Sequence, residues 1–257
     1  MTENSFLTEE QAVRYQRNIL LEGVGRRGQE KLFSAGVLLV GAGGLGSPAA
    51  FYLAAAGVGR IGLIDNDTVS LSNLQRQILH ATPDLDRFKV VSAAEKLKAL
   101  NPALNIEPYR ERFNENLARE LIEKYDFVID CTDNFKSRYI INENCVKLDI
   151  PFTYGGVLAW SGQAFTVVPG RGPCFSCIFP APPPPDAPTT TELGVLGAVP
   201  GVIGTIQAAE AVRFILGVGE LLVGRMLVYS ALQARFFEVP VERSTDCPVC
   251  GKLGRET

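Results

Sequence analysis

The sequence predicts an α/β domain in which a Rossmann-like, mostly parallel sheet carries helices on both faces and continues into a mixed C-terminal part. Short apolar runs alternate with helical patterns through residues 35–150, the signature of repeated strand–helix–strand units. The first run ends in Gly41-Ala-Gly-Gly-Leu-Gly46 and passes directly into an apolar helix. Beyond Pro151 the pattern changes to extended segments, followed by the first of two Cys-x-x-Cys pairs.

Residues 8–21 read as an opening helix, because Thr8 and Gln11 fit a capping box and Ala12, Tyr15 and Ile19 recur at helical spacing. Residues 37–40 form the first strand and residues 48–56 the helix after the glycine turn. A second strand, 60–64, ends at Asp65, and an amphipathic helix over 87–100 is closed by Asn101-Pro102. Residues 105–109 give a third strand and 114–124 a helix. Residues 127–129 give a fourth strand, which runs into Asp130-Cys-Thr-Asp-Asn134 and a helix through residue 148. Extended segments follow at 153–157 and 163–168. Five prolines within 181–188 fix φ and remove backbone donors, so that stretch reads as an exposed, semi-extended crossing loop. A helix over 201–216 and strands over 226–230 and 235–239 complete the pattern.

Across 257 residues, 25 Lys and Arg face 28 Asp and Glu, a net charge of −3 that supplies no broad pull toward nucleic acid or an anionic membrane. With 46% hydrophobic residues, the chain can bury a core of its own. Residues 1–11 are acidic and polar, without the basic and apolar regions of an export signal, which predicts a cytoplasmic protein. The uncharged stretches 34–59 and 193–209 are broken by Gly and Pro and read as buried structure rather than membrane spans.

The cysteine pairs are Cys174 with Cys177 and Cys247 with Cys250. In a reducing compartment these four thiolates suit one structural zinc ion better than two disulfides. Cys131 and Cys145 stand apart and read as small packed hydrophobes.

Gly41-x-Gly43-x-x-Gly46 lies where a strand meets a helix. Glycines there permit a tight turn and close backbone approach, and the helix N-terminus offers N–H groups to a phosphate. Asp65, at the end of the next strand, is placed to bind ribose hydroxyls. The same pattern fits NAD, but a dehydrogenase generally needs an acid or base beside the hydride acceptor. The sole histidine, His80, reads as a surface or satisfied structural residue. Ser47-Pro48 occupies the place of the Lys-Ser/Thr of a P-loop NTPase, which argues against that class. Arg76 and Lys89 are candidates for phosphate contact, and Asp133, at the carboxyl end of a strand, is a candidate magnesium ligand. Each also has a plainer role: a surface ion pair for Arg76, a solvated first turn for Lys89, a helix cap for Asp133.

The string as a whole resembles the ubiquitin-activating-enzyme-like adenylyltransferases of the MoeB/ThiF/HesA type, with the MoeB branch as the nearest likeness. The resemblance rests on Arg14-Tyr-x-Arg17, the glycine turn, Asp65-x-Asp67-x-Val69, Asn73-Leu-x-Arg76-Gln77, Lys89, Asp130-Cys-Thr-Asp133-Asn134, Arg138, both cysteine pairs, and Gly201-Val-Ile-Gly204 with Gln207. It implies a single adenylation domain over 1–257, with an N-terminal helical segment at 1–34, a nucleotide-binding half at 35–150 and a zinc- and carrier-binding half at 151–257. The implied reaction joins ATP to the C-terminal glycine carboxylate of a small ubiquitin-like sulfur-carrier protein ending in Gly-Gly, and releases pyrophosphate. A thiocarboxylate for molybdopterin, thiamin or a related sulfur-transfer pathway would follow.

By likeness, Asp65 binds ribose, and Gly44 with Ser72, Asn73, Leu74, Gln75 and Arg76 contacts the nucleotide. Lys89 and Arg76 contact phosphates, and Asp133, with Asn134 beside it, binds magnesium. Arg17 would reach the neighbouring subunit's site in a homodimer. No cysteine lies between Cys177 and Cys247, so activation is expected without a stable thioester from the crossing loop. With no sulfurtransferase domain following Cys250, a separate sulfur donor is expected. Two other readings remain at this point: an NAD-dependent oxidoreductase, and a nonenzymatic zinc-stabilised scaffold that binds a partner along the proline loop.

Overall fold

The structure, a computed structural model, describes residues 6–184 and 186–251. The acidic start at 1–5 and one proline of the crossing loop, Pro185, lie outside the described residues. The opening segment is two short helices rather than one, α1 (Glu9–Arg14) and α2 (Gln16–Ile19), with Tyr15 between them at φ −98° and ψ 10°. The capping box between Thr8 and Gln11 is present. The break follows from burial: the Tyr15 ring is almost fully enclosed, and its hydroxyl accepts from Asn101 Nδ2 at 2.8 Å. A third helix, α3 (Gly25–Ser34), which the sequence pattern did not single out, leads into the sheet.

The first half then alternates as expected. Strand β1 (Gly36–Val40) feeds α4 (Gly46–Ala56), β2 (Arg60–Ile64) is followed by α5 (Lys89–Leu100), and β3 (Asn105–Tyr109) by α6 (Glu115–Ile122). Strand β4 (Phe127–Asp130) feeds α7 (Phe135–Leu148), and β5 (Phe152–Leu158) turns back as β6 (Ser161–Val167). After α8 (Phe175–Ile178) and α9 (Thr190–Leu193) comes the long α10 (Ala198–Leu216), then the hairpin β7 (Arg225–Ser230) and β8 (Arg235–Pro240).

One eight-stranded sheet results, ordered β3-β2-β1-β4-β5-β6-β7-β8. The strands from β3 to β5 are parallel, and those from β5 to β8 pair antiparallel. Strand order reverses between β1 and β4, and open α/β sheets bind ligands beyond the carboxyl ends of strands at such a reversal. Residues of β1 and β4 are buried throughout, as a strand covered on both faces must be. Helices α4, α5 and α10 cover one face around Leu53, Leu97 and Ile203; α6 and α7 cover the other around Ile122 and Ile141.

Helix α10 is long and apolar enough to cross a membrane by length and composition, yet half of its most apolar stretch is buried. Its polar residues are tied to the sheet. Glu210 is fully buried, accepts from Thr166 Oγ1 at 2.5 Å and Leu222 N at 2.8 Å, and pairs with Arg213. Gln207 Nε2 donates to Asp130 O at 2.8 Å, so the helix braces the end of β4 directly beneath the strand reversal.

Candidate active site

The site begins at the glycine turn. Gly41 has φ +104°, and a Cβ there would lie 2.7 Å from the Cys131 carbonyl oxygen, so the loops after β1 and β4 approach as closely as glycine allows. A Cβ on Gly46 would run into the Gly41 carbonyl, which is why the third glycine of the motif is buried in the turn rather than open to a ligand. The N–H groups of Gly43 and Gly44 find no acceptor among the described residues, and both residues line a cavity of about 1210 Å³.

Asp65 closes the turn from β2. One carboxylate oxygen accepts from Ala42 N at 2.9 Å and the other from Asp67 N at 2.8 Å. Asp67 in turn pairs with Lys89 Nζ at 2.8 Å. Lys89 is the first residue of α5 and is buried, not solvated, while Asp67 stays exposed. The Ser70–Asn73 capping box holds the 3-10 turn Leu71–Asn73. Arg76 follows that turn, and its Nη1 donates to the Ser72 carbonyl at 3.0 Å. No carboxylate pairs with Arg76 among the described contacts.

At the end of β4, Asn134 is the N-cap of α7, accepting from Ser137 N at 2.9 Å. The capping role that competed for Asp133 therefore belongs to its neighbour. Asp133 is exposed and lines the cavity with no ion-pair partner among the described residues. Asp130 behind it is fully buried; Thr132 N and Oγ1 donate to its Oδ1, and its Oδ2 has no partner. Burial pushes the Asp130 carboxyl up, against the Arg138 charge and the Thr132 hydrogen bonds. Arg138 sits 5.0 Å over both the Phe135 and Tyr154 rings, donates from Nη2 to Thr132 O, and keeps its buried Nε unpaired.

The cavity joins most of the expected residues: Gly41, Gly43, Gly44, Asp65, Asp67, Arg76, Lys89, Asp133 and Asn134 all line it. Gly46, Ser72, Asn73, Leu74 and Gln75 do not. Arg17 is exposed on α2 and also lies outside the lining. Arg14 ends α1 and Arg17 lies on α2, on either side of Tyr15. Arg14 donates to the Leu100 carbonyl at 2.9 Å.

Sequence reasoning gave no cavity role to Gln77, Arg112, Arg138, Tyr154 or Gln163, all of which line it. Gln77 Oε1 is buried and unpartnered, like Arg138 Nε. Arg138 lies four residues after the Asn134 cap, a local signal that could have placed it on the first turns of α7. Gln163 has none: its position opposite Gly156 comes from the antiparallel register of β5 and β6.

Away from the strand reversal, the sulfur atoms of Cys174, Cys177, Cys247 and Cys250 lie within 4.8 Å of one another. Pairs stand at 3.9 Å, 3.6 Å and 3.3 Å. A tetrahedral zinc with Zn–S bonds of about 2.3 Å separates its sulfurs by about 3.8 Å, so the donor set and spacing fit that ion. Asn142 Nδ2 approaches Cys174 Sγ at 3.7 Å, and Ser244 N donates to Cys177 Sγ at 3.4 Å. Both contacts suit a thiolate. Cys131 and Cys145 are buried, and burial holds their thiols well up, which makes them packed hydrophobes.

The ThiF family profile matches residues 15–249. The chain belongs to the ThiF family. A sulfur carrier protein adenylyltransferase of Thermus thermophilus is 44% identical over 95% of this chain and 92% of its own length. A SAMP-activating enzyme E1 of Haloferax volcanii is 45% identical over 94% of this chain and 89% of that protein. The adenylyltransferase and sulfurtransferase MOCS3 of Arabidopsis thaliana is 44% identical over 95% of this chain, which spans 53% of that longer protein. Among solved structures, E. coli MccB with AMPCPP and MccA superposes with a TM-score of 0.84 at 24% identity, over 96% of this chain and 76% of that one. That last likeness concerns the fold.

In this ThiF-family site the one histidine does not face the cavity: His80 is buried with both ring nitrogens hydrogen-bonded. The side chains that do face it supply cations, an unpaired carboxylate and hydrogen-bonding amides. Such a set aligns and neutralises anions without an imidazole base.

Proposed function

We propose that this E1-like adenylyltransferase activates the C-terminal glycine carboxylate of a small ubiquitin-like sulfur-carrier protein with ATP. A carboxylate oxygen attacks the α-phosphorus, the bond from that phosphorus to the bridging oxygen breaks, and pyrophosphate leaves with its electron pair. The product is an acyl-adenylate. A carboxylate is ionised at neutral pH, so the step needs no general base.

The observation that carries this reading is that one cavity holds the glycine turn, Arg76, Lys89 and Asp133 together with the crossing loop and the antiparallel sheet. Its 1210 Å³ exceeds the roughly 300–1,000 Å³ of an ordinary small-molecule site, which suits a nucleotide joined by a peptide tail. In this reading Asp65 receives the ribose, and the Gly43 and Gly44 N–H groups receive phosphate oxygens. Arg76 and Lys89 offset the phosphate charge as pyrophosphate departs. Asp133, with Asn134 beside it, would hold magnesium, which neutralises phosphate charge when bound. The carrier tail enters between the crossing loop, at Pro188 and Thr189, and β6, at Gly162 and Gln163.

The same reading takes residues 1–257 as one adenylation unit working in a reducing cytoplasm, with the four cysteines holding a structural zinc. Two copies pair so that Arg17 of each serves the other's site. A separate sulfur donor then converts the acyl-adenylate to a thiocarboxylate for molybdopterin, thiamin or a related pathway. Carrier-dependent exchange of labelled pyrophosphate into ATP, measured against a panel of small carriers ending in Gly-Gly, tests the central claim. Exchange with none of them, despite ATP binding, would leave nucleotide binding without this chemistry and refute it.

A further inference from the structure

His80 is the one histidine in the sequence. It lies behind the cavity wall, yet it touches the turn that forms that wall. Its Nε2 is 3.0 Å from the Ala42 carbonyl oxygen and its Nδ1 is 3.0 Å from Ser92 Oγ. A carbonyl can only accept, so the proton of the neutral ring sits on Nε2. Nδ1 then accepts from the Ser92 hydroxyl, whose oxygen accepts from Lys96 Nζ at 2.8 Å. Lys96 is paired with Asp84, which completes a chain from the buried ring through α5 to the 3-10 turn Thr82–Asp84.

Three charged groups act on the ring: Lys96 and Lys89 from α5, and Asp84 from the 3-10 turn Thr82–Asp84. Burial lowers its pKa from the ordinary value, the two lysines act in the same direction, and the Ala42 bond and Asp84 oppose them. The imidazole is thus kept neutral, with its tautomer set by its two partners.

Ala42 is fully buried and is gripped at both ends, since its N–H donates to Asp65 Oδ2 at 2.9 Å. In a trans peptide the C=O of one residue and the N–H of the next point in opposite directions. Drawing the Ala42 carbonyl toward His80 therefore turns the Gly43 N–H the other way. That N–H has no acceptor among the described residues, and Gly43 lines the cavity.

We propose that His80 is a positioning residue for the phosphate-binding turn: through Nε2–H it holds the Ala42 carbonyl and so directs the Gly43 N–H at the phosphates of a bound nucleotide. This rests on the nucleotide reading of the site given above. Without the imidazole, the Ala42 carbonyl is a buried acceptor with no donor. A peptide flip that brought it to solvent would present an oxygen, in place of a donor, to the phosphates.

Two measurements on the full chain, free of any histidine tag and loaded with zinc, test the proposal. Nitrogen-15 NMR of the single imidazole is expected to show the Nε2–H tautomer, with the Nε2 resonance shifting when ATP and magnesium are added. An Nδ1–H tautomer, or an Nε2 resonance indifferent to ATP, overturns the proposal, and neither result depends on a variant that folds. Calorimetry then compares ATP–magnesium binding by the unaltered protein, His80→Phe and His80→Gln. Phe is expected to weaken binding tenfold or more at unchanged zinc content. Gln, whose amide can return an N–H to the position of Nε2, is expected to stay within about threefold of the unaltered protein. A folded His80→Phe protein that binds ATP at full strength refutes the positioning role alone. Failure of the unaltered protein to bind ATP refutes the nucleotide reading itself, and the proposal falls with it.

Discussion

Lys89 Nζ lies 2.8 Å from Asp67 Oδ2 in a pair that is buried at the lysine end and open to water at the aspartate end, with side-chain exposures of 7% and 62%. The lysine is held at the cavity by a carboxylate that solvent already screens, so its charge remains available to a phosphate. Lys89→Ala is expected to slow pyrophosphate exchange by roughly a hundredfold. Stability should change by no more than about 1 kcal/mol, because Asp67 is left in water. Lys89→Arg should recover only part of the rate, since a planar guanidinium does not fit a slot that encloses an ammonium. Exchange kinetics and urea unfolding check these expectations; full activity in the Ala variant would remove Lys89 from the phosphate site.

Asp133 stands one residue before the cap of α7 and has no ion-pair partner among the described residues. Asp133→Ala is therefore expected to leave the melting temperature within a few degrees and lower exchange by roughly a hundredfold or more, on the order of 3 kcal/mol. Asn134→Ala should lower both stability and exchange, because Asn134 caps α7 and lines the cavity. It removes the oxygen that accepts from Ser137 N, and loss of an N-cap costs about 1 kcal/mol. Thermal melts and exchange rates measured on both variants separate the two roles.

Protein purified under reducing conditions is expected to carry one zinc per chain. Cys250→Ser should release it and lower the melting temperature, because four thiolates saturate a tetrahedral ion and leave no position for water activation. Elemental analysis that finds no zinc in freshly reduced protein would set this aside.

Arg17→Ala and Asp133→Ala chains should each be inactive alone. When subunits are exchanged, mixed dimers should regain up to half the activity per dimer, because one of the two sites then receives both native residues. Demonstrated exchange without recovery would show that Arg17 does not act across the interface.

The depressed pKa of His80 has a sign that can be measured. Below about pH 6.5 the unfolded chain takes up a proton at this histidine that the folded chain refuses. Folding stability should therefore fall as pH drops from about 6.5 toward 5, a range in which most carboxylates do not titrate. His80→Gln should remove this part of the slope. Urea unfolding at steps of pH compares the two proteins, and an equal slope in both would mean that another group is responsible.

Much of the nucleotide half was legible because its signals are local. The strands expected at 60–64 and 105–109 have those bounds in the structure, since each is a short run bounded by polar or turn residues. The opening segment departs from the expected single helix at Tyr15, whose ring is drawn into the core and bonded to Asn101, a partner far along the chain. Helical spacing alone does not report such a pull. The plainer of the two readings of Lys89, a solvated first turn, fails because the loop from Asp65 to Phe88 folds back against it, with Lys89 N bonded to the Asp67 carbonyl and Thr68 bridged to Phe88. Tyr154 and Gln163 reach the cavity only through the register of two antiparallel strands. Of the two readings open for His80, surface or satisfied structural residue, burial and two ring hydrogen bonds decide for the second; its partner Ala42, 38 residues earlier, is not named by any local spacing.

The sulfur cluster binds residues 73 positions apart, Cys174 with Cys247 and Cys177 with Cys250. The crossing loop, α10 and the β7–β8 hairpin all lie on the arc between them. With a metal ion seated, that arc becomes a closed ring of polypeptide. A single protease cut in the exposed proline stretch would open the ring without detaching either piece. The two fragments, joined also by α10 on the sheet and by the β6–β7 pairing, would part only when a chelator or a thiol-reactive mercurial was combined with denaturant.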